Sequence, residues 1–157
     1  MGSKWGMYLR APEILFTILE KGKDLFVPLK EVAEVRRGFT TGANEFFYLT
    51  EEDIKKWGIE KEFWMHEDEN GDWIPNYVIK SPRECKSIVV DSGDLKYRVL
   101  IIHKDKEELK GTNILKYIEW GEERGFHKRP TGASRKRWWD LGDRKGANLL
   151  FPERFWD

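Results

Sequence analysis

Three stretches of this sequence carry side chains suited to holding phosphates and reaching base edges. The first is Arg36-Arg37-Gly38-Phe39-Thr40-Thr41-Gly42-Ala43-Asn44. An arginine can bridge O6 and N7 of guanine, an asparagine can bridge N6 and N7 of adenine, and a threonine can take a phosphate or touch a thymine methyl. That chemistry singles out Arg36, Arg37, Thr40, Thr41 and Asn44, and the glycines let the backbone approach a groove closely. An ordinary strand connection with a solvated arginine pair accounts for the same residues, Thr40 and Asn44 in particular. The second stretch is Lys80-Ser81-Pro82-Arg83, whose lysine, hydroxyl and arginine can hold phosphates or simply turn the chain after a strand. The third runs over residues 127–139 and offers His127, Lys128, Arg129, Arg135, Lys136 and Arg137, with Thr131 and Ser134 between them and Trp138 and Trp139 at its end. Such a basic, hydroxyl-bearing loop suits backbone contacts and some base contacts. Both tryptophans are expected in the core.

Charge is distributed so as to favour this reading, although the chain is neutral overall, with 28 basic and 28 acidic residues. Residues 45–72 hold ten acidic side chains against three lysines, a net of −7, whereas residues 126–146 hold seven basic side chains against two acidic ones, a net of +5. Phosphate binding responds to such a local field and not to the total. The competing account is a surface network of ion pairs across the fold.

Other chemistries fail on spacing. Residues 38–42 imitate a phosphate loop but lack the Walker spacing and its lysine, and no dinucleotide fingerprint occurs. His66, His103 and His127 lie far apart and, with one cysteine, make no zinc set. Residues 68–72 imitate the start of a calcium loop, yet Ile79 stands where its closing glutamate belongs. Asp94-Leu95-Lys96 has the form of a magnesium nuclease motif, with Asp91 as a second carboxylate, but the Pro-Asp pair that normally precedes it is missing.

The elements that must position these residues follow from periodicity and turn chemistry. Residues 12–20 predict an amphipathic helix with Ile14, Leu15, Ile18 and Leu19 on one stripe, stopped by Gly22. Strands are expected through Val32 and Val35, over 45–49, 63–65, 73–80, 87–90, 97–102, 138–141 and 148–151. Thr50 opens a capping box with Asp53 and a helix to Trp57, ended by Gly58. Asn70-Gly71 predicts a type I′ hairpin. A helix over 113–122 turns Ile114, Tyr117 and Ile118 inward and closes at Gly125, and 128–136 reads as loop. Strands and helices intermix without a βαβ rhythm, so the class is α+β, one domain with a mixed or mostly antiparallel twisted sheet and a few short helices.

Composition sets the frame. One domain fits 157 residues. Glutamine is absent and ion-forming residues abound, a pattern of heat-loving organisms. No apolar run is long enough for a membrane span. The lone Cys85 fits a reducing cytoplasm. Met1-Gly2-Ser3 reads as an expression scar, leaving 4–157 as the domain, and the abrupt ending at Asp157 suggests a fragment of a larger protein.

Four phrases carry a family resemblance: LKEVAEVRRGFTTGANEFFYL (29–49), VIKSPRE (78–84), LKGTNILKYIEWGEERGFHKRPT (109–131) and RKRWWDLG (135–142). They resemble the target-recognition region of adenine-specific DNA methyltransferases, the TaqI-like specificity domain, which is similar in layout to the specificity subunits of type I restriction systems. Residues 4–12 resemble the linker that follows the catalytic domain in such enzymes. The resemblance implies that this domain grips duplex DNA and selects the sequence. A separate domain then binds S-adenosylmethionine, holds the flipped adenine with an Asn-Pro-Pro-Tyr/Phe motif and methylates it. This sequence has no Asn-Pro-Pro and no cofactor glycine motif, so the resemblance implies no cofactor here. Its expected partners are double-stranded DNA and a catalytic methyltransferase domain, in the same chain or a separate subunit. Residue roles carry over only as candidates in 36–44 and 127–137. The alternatives are a type I specificity subunit, which would want a long docking helix, a magnesium-dependent nuclease, or a protein-interaction domain.

Overall fold

Pro12 and Gly22 bracket the first helix, α1 (Glu13–Lys21), as their backbone chemistry favours. The Pro12 carbonyl accepts from the Leu15 N–H at 2.9 Å, and the Gly22 N–H reaches the Ile18 carbonyl at 2.9 Å. Glu13 in the first turn and Lys21 in the last suit the helix dipole. The structure, a computed structural model, describes residues 12–143 and 146–150. The chain divides into two units, residues 1–38 and 39–157. In the first unit α2 (Leu29–Val32) follows Pro28, and neither helix buries a residue. The strand expected through Val32 and Val35 is replaced. The Ala33 N–H closes a helical turn on the Leu29 carbonyl at 2.8 Å, and Val35 is exposed with no strand beside it.

The second unit starts its regular structure with α3 (Asn44–Phe47), where a strand was expected. A strand would send Phe46 and Phe47 to opposite faces. One helical turn lets both enter the same core, where each is fully buried. Strand β1 (Tyr48–Leu49) leads into Thr50 and α4 (Glu51–Trp57), with the capping box formed in both directions and Gly58 left-handed at the end. Residues 61–63 form a 3-10 turn, so the hairpin strand is β2 (Met65–Glu67), paired antiparallel with β3 (Trp73–Pro75). Its turn is not type I′: Gly71 has positive φ but Asn70 does not. Asp68 accepts the Asn70 and Asp72 N–H groups at 2.8 and 2.9 Å and so sets the turn from its first residue.

The expected 73–80 strand splits at Asn76 into β3 and β4 (Tyr77–Val78), which belong to different sheets. In the three-stranded antiparallel sheet, β5 (Tyr97–Val99) lies between β1 and β4, with Leu49 and Tyr77 both opposite Arg98. Residues 100–102, expected to continue the strand, lie outside it, with the Leu100 and Ile101 N–H groups donating to the Phe47 and Phe63 carbonyls at 2.9 Å each. The strand expected at 87–90 is absent, with Ile88 and Val89 exposed in irregular backbone. Residues 138–141 and the described part of 148–151 are likewise not strands, and Phe151 lies outside the described residues. Helix α5 (Asn113–Glu123) buries Ile114, Tyr117 and Ile118 as expected. Its first N–H groups are capped from afar: the Glu60 carboxylate accepts from Asn113 N at 2.6 Å and Ile114 N at 3.2 Å. A last short helix, α6 (Pro130–Ala133), occupies the segment expected to be loop.

Aromatic rings fill the space between α3, α5 and residue 138. Phe46 stacks on Tyr117 at 4.7 Å between centroids and meets Trp138 at 4.5 Å. Gly121 permits this packing, since a Cβ there would lie 2.6 Å from Trp138 Cη2 and 2.8 Å from Phe46 Cε2. The Tyr117 hydroxyl donates to the Phe46 carbonyl at 3.1 Å, and burial pushes its pKa up. Trp138 and Trp139 are both core residues, as their size suggests.

Candidate nucleic-acid interface

Residues 40–42 and 129–135 lie about 90 positions apart in sequence, yet they are held side by side in the second unit, and this joined pair of segments is termed the ridge. Two arginines join them. Arg129, half-buried beside the Phe126 ring at 4.6 Å, donates to the Gly42 carbonyl at 3.2 Å and to the Glu45 carboxylate at 2.6 Å. Arg135 donates to the Thr41 carbonyl at 3.1 Å, to the Trp138 carbonyl at 3.2 Å and to the Thr40 carbonyl. Gly42 takes positive φ, and a Cβ on it would sit 2.6 Å from Thr131 Cβ, so the loop lies directly on α6.

The anchoring determines what each side chain can still do. Thr41 is buried; its hydroxyl donates to the Asn44 side-chain oxygen and accepts the Ala43 N–H at 3.3 Å, so it shapes the loop from inside. Thr40 and Asn44 are exposed. Arg129 holds the Glu45 carboxyl below its ordinary value chiefly through their hydrogen bond; partial burial opposes this, and the charge of Lys80 adds to it. Glu45 is therefore the carboxylate that sequence reasoning missed, and nothing in its position marks it as an arginine partner. Burial pulls the Arg135 guanidinium below its ordinary value against the charge of Asp140, though an arginine stays protonated.

Arg137 turns the other way. It donates to Asp140 at 2.7 Å and to Asp105 at 3.0 Å, and those hydrogen bonds raise its pKa. Burial works to raise the Asp140 carboxyl, but the Gly142 N–H, Arg137 and His103 outweigh it and leave it below its ordinary value. His127 is half-buried with Nδ1 unpartnered. Lys128 and Lys136 are exposed and have no ion-pair partner among the described residues. Hence the basic segment divides into three anchoring arginines and two solvent-facing lysines.

Of the second stretch, Lys80 is exposed, with Nζ 4.8 Å from the Tyr97 ring centroid, and its charge reaches Glu45. Ser81 caps the following turn by accepting the Arg83 N–H at 3.4 Å, and Arg83 is exposed. Arg36 and Arg37 belong to the first unit, where Arg36 is exposed and paired with Glu34 at 2.6 Å. Arg144 and Lys145, which contribute to the basic count, lie outside the described residues.

Residues 3–157 match the family model for the C-terminal domain of the type II methyltransferase M.Eco57I. The chain belongs to this family. Among curated proteins this M.Eco57I-type C-terminal domain is similar to the type II methyltransferase M.AccI of Acinetobacter calcoaceticus. The two are 27% identical over 150 residues, which cover 93% of this chain and 25% of that protein. The chain thus spans about a quarter of the length of the relative it matches. No solved structure matches it. The family model describes the C-terminal domain of a methyltransferase. Asp94 is held by Lys86, Asp91 accepts the Gly93 N–H at 2.8 Å, and no group of three or more metal-ligating side chains forms among the described residues. No helix among them is long and apolar enough to cross a membrane.

Proposed function

We propose that this chain is the target-recognition domain of an adenine-specific DNA methyltransferase in a restriction-modification system, a TaqI-like specificity domain that binds duplex DNA in the cytoplasm. The observation that carries the reading is the ridge itself: two distant segments are clamped together, with Thr40, Asn44, Lys128 and Lys136 exposed along them. Lysines there supply phosphate contacts, which fix register and give salt-dependent affinity. Thr40 and Asn44 supply groups able to meet base edges. Lys80, Ser81 and Arg83 extend the cationic surface from the end of β4.

Methyl transfer belongs to the part of the parent protein that this chain does not include. The sequence has no Asn-Pro-Pro, and the described strands are short and antiparallel, without the parallel switch point at which open α/β sheets bind cofactors. This domain would select and grip the duplex while its partner extrudes the base. Selection of duplexes from a random pool, followed by salt-titrated binding of the enriched sequence, tests the reading. An enriched sequence bound with a steep inverse dependence on salt is expected; no affinity for any duplex at low salt would overturn it.

A further inference from the structure

From Pro12 to Gly38 every described residue except Gly22 is exposed, although the segment carries large aliphatic and aromatic side chains. Ile14, Leu15, Ile18 and Leu19 line α1 at helical spacing, each at least 40% exposed, and Leu29 and Val32 on α2 are 61% and 70% exposed. A nine-residue helix is marginal in water on its own and draws its stability from packing an apolar face. The face on α1 is formed, and its apolar side chains are exposed.

We propose that this face is the seat of the catalytic part of the same methyltransferase, the portion that lies N-terminal to the C-terminal domain; this rests on the function proposed above. Two observations choose that occupant. The family model begins at residue 3, so the uncovered unit is an integral part of the C-terminal domain and no foreign tail. The matched relative is about four times longer than the shared region, so a large body of chain exists to cover it. In a two-part enzyme the segment nearest that body in sequence is the one that can fold against it with little loop-closure entropy.

Hydrogen exchange on the full-length polypeptide and on the 157-residue chain tests the assignment without any substitution. Amides of residues 13–32 should be protected at least about tenfold more in the full-length protein. Equal protection in the two would overturn the proposal, as would protection in the short chain that rises with its concentration, which would mean that a second copy covers the face. The double variant Ile14→Glu/Ile18→Glu in the full-length protein should abolish the added protection and open residues 22–38 to protease; unchanged protection would count equally against it. Duplex binding by the 157-residue chain reports separately on the recognition ridge. Its loss with the added protection intact would defeat the recognition reading alone.

Discussion

The guanidinium of Arg135 donates to the main-chain carbonyl of Thr41 at 3.1 Å, across 94 positions of sequence. Thr41 is 4% exposed, so its backbone oxygen has little access to water, and the arginine is its partner. A basic residue that reads in sequence as a phosphate contact is thereby a strut of the loop it was expected to accompany.

Removing that strut should cost stability. Arg135→Ala takes charged hydrogen bonds from the Thr40, Thr41 and Trp138 carbonyls, and we predict a loss of about 2–3 kcal/mol. Arg135→Lys should recover only part of it, because an ammonium cannot span separated carbonyls as a planar fork does. Urea unfolding of the three proteins checks this. If Arg135→Ala melts like the parent, the strut assignment fails.

Gly42 gives a second handle on the same contact. An alanine there meets both a left-handed backbone at φ 74° and the Thr131 side chain. We predict a destabilisation of about 1–3 kcal/mol. Thr131→Gly in the same chain should relieve part of it, since the nearest clash, at 2.6 Å, is with the Thr131 Cβ. A thermal melt of the single and double variants reads the outcome, and identical melting of the two would remove the proposed contact.

The two solvent-facing lysines should behave differently from the arginines. Lys128→Ala and Lys136→Ala leave the fold intact, and each should lower the slope of log K against log salt by about 0.9 for duplex binding. Random and selected duplexes should weaken alike, because phosphate contacts carry no sequence information. Asn44→Ala should instead narrow the gap between selected and random duplexes. A lysine variant with an unaltered salt slope would exclude that side chain from the interface.

Stability should also fall in acid. Glu45 and Asp140 both sit below their ordinary values of 4.5 and 3.8. A depressed carboxyl contributes stability that is present above its unfolded value and is lost as pH falls through the folded one. Urea midpoints should therefore hold steady from pH 7 to about 5 and decline below about 4. Glu45→Gln should flatten part of that decline and lower stability at pH 7 by less than about 1 kcal/mol, because the pair with Arg129 is half exposed and screened. A decline of the same depth in this variant would show that the pair is not formed.

Elements with local chemistry were the legible ones. Thr50 and Asp53 signal a helix start through a reciprocal hydrogen bond four residues wide, and Gly58 and Gly125 stop helices by the φ that only glycine adopts freely. The helix over Ile114, Tyr117 and Ile118 announces itself by spacing. Where β-branched or aromatic residues stood alone, the expectation failed for nameable reasons. Val32 and Val35 read as strand by propensity, but no neighbouring strand pairs with them. Phe46 and Phe47 needed one face instead of two. Ile88 to Val90 have the composition of a buried strand and lie on the surface.

The segments that make up the candidate site were legible in part. Its two main segments were chosen by residue type, and the fold brings residues 40–44 against 129–135. What composition could not separate was which cations face solvent and which are tied to carbonyls or carboxylates, because that depends on Glu45, Asp105 and Asp140 arriving from elsewhere in the chain. The second segment supplies only Lys80 to the surroundings of Glu45, and Arg36 and Arg37 belong to the other unit.

Fastening through main-chain oxygens is indifferent to what side chains the fastened residues bear. The Arg135 fork would find the same carbonyls if Thr40 were serine, lysine or glutamine, and Arg129 would still meet the Gly42 oxygen. The course of the loop at Thr40 is thus set without its side chain, whereas Asn44, whose side-chain oxygen takes the Thr41 hydroxyl, belongs to the scaffold itself.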